Sequence, residues 1–179
     1  MIKEELIEQR KMRCLKYIKV FIETKDNSTS RLRGFIDDWY GFHKAGPYLN
    51  KKHNVRWLNN PDCTKPIIKD CLEGMDFISV GARAVLDGFS REPLIKEHAV
   101  PVKVIKELLL ELPSNASLQD IERHLLKYYK LGALTKNEDK EINSTQVNSI
   151  SLKSSMPEDW NREDMFHKVC KSEYKTKLT

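Results

Sequence analysis

Four side chains with the chemistry of a hydrolytic site fall in two short segments of this 179-residue chain. Glu97 and His98 lie in Glu97-His98-Ala99-Val100-Pro101, and Asp139 and Asn143 lie in the run from Leu134 to Asn143. Histidine titrates near neutrality and can take a proton from water, the task of a general base. Glu97, Asp139 and Asn143 offer only hard oxygen donors, a set that favours Mg2+ or Mn2+ over softer metals. A cation held there would stabilise the charge that develops on a phosphodiester and its leaving oxygen during cleavage. Each residue also has a plain reading of similar weight. His98 can be a structural histidine hydrogen-bonded near Pro101, and Asp139 and Asn143 can be part of a polar helix face beside Lys136, Lys140 and Glu141.

Local signals show how these residues would be positioned. Thr135 followed three residues later by Glu138 is a capping box, so a helix is expected to begin at Thr135. Asp139 and Asn143 then stand at i and i+4, on one face of that helix. Glu97 and His98 end an extended segment and point to opposite sides of it unless the backbone bends, a bend that Pro101 would suit.

The combination resembles the HNH endonucleases, also called His-Me finger or ββα-metal nucleases. In that family a histidine followed by a proline sits on a β-hairpin, and a following helix opening with Leu-Thr-x-Glu carries metal ligands. Leu134, Thr135 and Glu138 match the helix start, while Asp139 and Asn143 stand where the family has two histidines. The resemblance covers residues 92–143. The chain departs from the family in its long spacing, 41 positions from His98 to Asp139, and in lacking a glycine-rich turn after Pro101. Asn115 is the one candidate for the middle Asn. The resemblance implies a Mg2+- or Mn2+-dependent nuclease that hydrolyses phosphodiester bonds in DNA, of the kind found in bacterial or phage defence and restriction. His98 would be catalytic, with Glu97, Asp139 and Asn143 on the metal.

Composition is that of a globular protein, 40% hydrophobic and 8% aromatic, with a high charged fraction of 32%. The net charge of +5 permits nucleic-acid binding without requiring it, because the basic residues are spread along the chain. Four cysteines, Cys14, Cys63, Cys71 and Cys170, form no CxxC pair, so reduced thiols are expected. No apolar run reaches membrane-spanning length, and Glu4 and Glu5 stand where a secretory leader is basic, so a cytoplasmic protein without membrane association is expected.

The expected fold is mainly α: a helical N-terminal unit over residues 1–88, a divergent ββα-metal-like segment with a small β-hairpin over 89–143, and a polar linker with a short docked basic tail over 144–179. Apolar spacing predicts helices from Ile2 to about Thr24, after the Asn27–Ser30 cap with a break at Gly46-Pro47, and from about Thr64 to Leu86 with an end at Gly88. Further helices are expected from Val102 to Pro113 and from Ser117 to Gly132, with a short strand near Leu131 to Leu134. The segment Lys44 to Trp57 mixes Lys44, Lys51, Lys52 and Arg56 with Tyr48 and Trp57. Such interleaving can bind phosphates and stack on unpaired bases, or can be a solvated loop with two buried rings. Two functions therefore stand side by side. One is the nuclease; the other is a non-catalytic helical interaction protein or regulator that binds nucleic acid or a protein partner. Oligomeric state is not legible from these patterns.

Overall fold

Helix α1, Lys3–Glu23, is turned back on helix α2, Thr29–Tyr48, by a loop held by several local hydrogen bonds. Lys25 adopts a left-handed conformation with φ 49°, and the N–H groups of Lys25 and Asp26 donate to the carbonyls of Ile22 and Phe21, satisfying acceptors that the end of α1 would otherwise expose. Asp26 Oδ1 accepts from the Ser28 amide, its other oxygen pairs with Arg31, and Ser28 Oγ accepts from the Arg31 amide to cap α2. The computed structural model describes residues 3–48, 75–144, 146–147, 150–151, 153–156 and 177–178. Lys51, Lys52, Arg56, the first part of the expected third helix and most of the expected tail fall outside these residues.

Of the apolar stripe predicted for α1, Leu15, Ile18, Phe21 and Ile22 are buried while Leu6 and Met12 are only half-buried; Ile7 is buried too, as are Leu32, Ile36, Trp39 and Tyr40 of α2. Each such aliphatic side chain removed from water contributes about 1.5–3 kcal/mol before entropy is counted. Cys14 lies in this interface as a free thiol, and burial, followed by the negative charge of Asp38, pushes it up to about 11. It is therefore protonated and unreactive at neutral pH. Helix α2 runs on through Gly46 and Pro47 to Tyr48, where a break was expected. Proline removes one amide donor from a helix, and here the loss falls in the last turn, where it costs least.

After residue 74 the described chain continues as strand β1, Phe77–Ile78, then helix α3, Val80–Leu86, strand β2, Leu94–His98, helix α4, Val102–Leu110, helix α5, Leu118–Tyr128, strand β3, Leu131–Thr135, and helix α6, Lys136–Ser144. Two-residue strands β4, Gln146–Val147, and β5, Ile150–Ser151, pair antiparallel where a plain linker was expected, and β6, Lys177–Leu178, closes the chain's contribution to the main sheet. The described structure is thus mainly helical with a small mixed sheet.

The sheet order is β2-β3-β1-β6, with β2 antiparallel and β1 parallel to β3, and β6 antiparallel to β1. All five residues of β3 are buried, the pattern of a central strand covered on both faces. Two expectations are corrected here. Phe77 and Ile78 are strand rather than helix, because they pair with Gly132 and Ala133 and the Leu131 amide donates to Asp76 Oδ2 beside them. Nor is there a local hairpin before Pro101: the partner of β2 is β3, from Leu94 opposite Thr135 to His98 opposite Leu131, with α4 and α5 intervening in sequence.

The chain separates into two compact units, each built from two stretches: Met1–Gly74 with Leu108–Leu125, and Met75–Glu107 with Leu126–Thr179. The first holds the α1–α2 hairpin and the Lys11–Glu122 ion pair at 3.2 Å; the second holds the sheet and all four residues of the expected hydrolytic site. The divisions at 88 and 143 followed composition and motif, whereas these units follow packing. None of the described helices is long and apolar enough to cross a membrane.

Candidate functional site

The capping box read from the sequence is formed. Glu138 N–H donates to Thr135 Oγ1 at 3.2 Å, and the Thr135 amide donates to Glu138 Oε2 at 2.7 Å. The next donors of α6 are also taken, Lys136 N–H by the Pro93 carbonyl and Asn137 N–H by Glu92 Oε1. All orphan donors of this first turn therefore have protein partners, which leaves the helix end no amide to offer an anion.

Glu138 does more than cap its own helix. It is buried, its Oε2 accepts from Ser79 Oγ at 2.5 Å, and its Oε1 accepts from the Gly81 amide at 3.0 Å. Ser79 is the N-cap of α3, where its Oγ accepts from the Ala82 amide at 3.0 Å. One carboxylate thus ties the N-termini of α3 and α6 together, with both helix dipoles favouring its charge. Gly81 is required by the close approach: a Cβ there would meet Glu138 Oε1 at 2.7 Å and Thr135 Cγ2 at 2.9 Å. Because three donors pin that carboxylate, it cannot move aside cheaply. Gly81→Ala is expected to destabilise the protein by about 1–3 kcal/mol by overpacking, measured by urea unfolding. Gly34→Ala is the control: a Cβ at Gly34 meets nothing within 4 Å, and the change should stabilise α2 by about 0.5–1 kcal/mol.

Asp139 and Asn143 face each other as the spacing required, and Asn143 Nδ2 donates to Asp139 Oδ1 at 2.6 Å. Glu97 and His98 are consecutive members of an unbroken ladder, opposite Gly132 and Leu131, so their side chains leave opposite faces of β2. The bend that would have brought them to one side comes only after His98, at Ala99 and Val100, with Pro101 accepting the first helical amide of α4, that of Ile105. His98 is 4% exposed. Its Nε2 lies 3.3 Å from Tyr129 Oη, and the two rings meet edge to face at 5.4 Å. Among the described residues no three His, Cys, Asp or Glu side chains are grouped as they would be around a metal. The structure thus brings Asp139 and Asn143 together on one helix and leaves Glu97 on β2, on the face opposite His98.

Of the expected nucleic-acid contacts, only Lys44 lies within the described residues, with its ammonium 5.3 Å from the centre of the Tyr40 ring. Sequence reasoning finds Glu138 only as a local cap, Gly81 only as a glycine that suits close packing and Tyr129 only as an apolar helix residue, and does not single out Ser79. The partners that give these residues their roles lie 31 to 59 positions away, beyond the reach of any local pattern. Compared with known proteins, the chain matches no family model, no curated protein and no solved structure.

Proposed function

We propose that this chain is a non-catalytic, mainly helical protein that binds nucleic acid. The observation that carries the reading is the placement of His98: the histidine that the nuclease needs as its general base is buried against Tyr129, with Glu97 on the other face of its strand. A base must reach the water it activates, directly or through one solvent molecule, and this ring is packed away from solvent. The net charge of +5 supports a polyanionic partner.

A second reading, the Mg2+- or Mn2+-dependent HNH-type nuclease, is favoured by one observation. Strand β2, its antiparallel neighbour β3 and the following α6 run in the strand, strand, helix order of that family, with His98 on the first strand and Asp139 and Asn143 on the helix. The two readings separate in one experiment on plasmid and single-stranded DNA with Mg2+, Mn2+ or EDTA. Salt-sensitive binding without metal-dependent cleavage is the expected result. Cleavage that EDTA and Asp139→Ala both abolish, in a variant that still folds, would establish the nuclease instead.

A further inference from the structure

Cationic and aromatic groups meet on the outer side of α1, within the first compact unit. The charges of this helix are segregated. Glu4, Glu5 and Glu8 occupy its first turns, where the helix dipole favours them, and Arg10, Lys11, Arg13, Lys16 and Lys19 follow. Lys11 is held by Glu8 at 2.9 Å and by Glu122, and Lys19 by Glu23 at 3.8 Å. Arg10, Arg13 and Lys16 make no ion pair among the described residues. They border an open cavity of about 980 Å3 that runs along the helix from Glu5 to Lys16.

Arg13, Lys16, Tyr17 and Val20 stand at i, i+3, i+4 and i+7, one face of the helix. Tyr17 is 47% exposed and Val20 53%, although Ile7, Leu15, Ile18, Phe21 and Ile22 of the same helix are buried. The Tyr17 ring is also braced from behind, stacked on Phe35 of α2 with ring centres 5.1 Å apart and planes 27° from parallel. A half-exposed, stacked ring one turn from Arg13, on the helix face that also carries Lys16, has the chemistry of a site for unpaired bases: phosphates take the cations and a base continues the aromatic stack.

We infer that this α1–α2 face, centred on Arg13, Lys16 and Tyr17, binds a single-stranded nucleic acid. The inference rests on the nucleic-acid-binding reading above and assigns it a surface different from the Lys44–Arg56 segment. A duplex keeps its bases paired and offers no free base to Tyr17, so the single strand is the favoured ligand. An acidic peptide would use the cations but gain little from the ring.

The test is fluorescence anisotropy with labelled oligothymidine, its duplex with oligoadenine, and a polyglutamate peptide. It is run on the wild type, Arg13→Ser/Lys16→Ser, Tyr17→Leu, Tyr17→Phe and Lys51→Ser/Lys52→Ser/Arg56→Ser, each checked for native circular dichroism. The single strand should bind more tightly than the duplex or the peptide. Arg13→Ser/Lys16→Ser should weaken single-strand binding roughly tenfold or more and flatten its dependence on log salt by about 1.4, roughly 0.7 for each phosphate no longer neutralised. Tyr17→Leu should weaken binding about tenfold, with Tyr17→Phe near wild type. Failure of the wild type to bind any nucleic acid would remove the proposed function itself. Binding unchanged by the Arg13/Lys16 pair, or abolished only by the Lys51/Lys52/Arg56 triple change, would overturn the surface while leaving nucleic-acid binding standing. Preference for the duplex or the peptide would overturn the choice of ligand.

Discussion

Glu138→Ala is expected to lower the unfolding free energy by about 3–5 kcal/mol, since it strips the acceptor from three donors at once. Ser79 Oγ, the Gly81 amide and the Thr135 amide all end on this carboxylate, and Ser79 and Thr135 are themselves buried. A buried donor left without an acceptor costs about 1–3 kcal/mol, and the loss of charge-assisted bonds sits at the upper end of that range. The Ser79 hydroxyl can rotate toward another acceptor, which keeps the sum below three full penalties. Glu138→Gln should cost less, about 1–3 kcal/mol, because one oxygen survives while the amide nitrogen meets a donor. Urea unfolding measures both. If Glu138→Ala cost less than about 1 kcal/mol, the low end of the penalty for a single orphaned donor, water or a neighbouring group would have to serve those donors, and the tie between α3 and α6 would be dispensable.

That carboxylate also shows where sequence reading succeeds and stops. The half of its role that lies within four residues, the capping box with Thr135, is legible because the donor, the acceptor and the helix they start are one continuous segment. The same holds for Ser117, whose Oγ accepts from the Asp120 amide while Asp120 Oδ2 accepts from the Ser117 amide, and for Gly88, whose φ of 85° ends α3. The other half, the reach to Ser79 and Gly81, depends on which strands pair. Strand β1 is two residues long, too short to show a period of two, and it sits in an apolar run that also fits a helical stripe. Only its pairing with Gly132 and Ala133 on one side and with Leu178 and Lys177 on the other makes it a strand. The spacing of Asp139 and Asn143 was legible as well, and the structure brings them together; what the spacing could not convey is that the amide nitrogen, rather than the amide oxygen, faces the carboxylate.

His98 is where the two functional readings give opposite mutational outcomes, and the burial of its ring decides what to expect. His98→Ala should destabilise the protein by about 2–4 kcal/mol, combining the cavity left by the ring with the loss of its hydrogen bond to Tyr129. The backbone ladder of β2 to β3 does not involve the side chain and should persist, so the variant is expected to fold, with a lower urea midpoint. Tyr129→Phe should cost about 1 kcal/mol, and the pair should be coupled by roughly 0.5–1.5 kcal/mol in a double-mutant cycle, because each removes the other's partner. Nucleic-acid affinity, measured where both forms are folded, should stay within about twofold, since a buried ring offers a nucleic acid no contact surface. A general base behaves in the reverse way: its removal leaves stability nearly unchanged and lowers cleavage by roughly 10²-fold or more. An unaltered urea midpoint in His98→Ala, together with lost cleavage, would therefore contradict the buried, structural role and return His98 to chemistry.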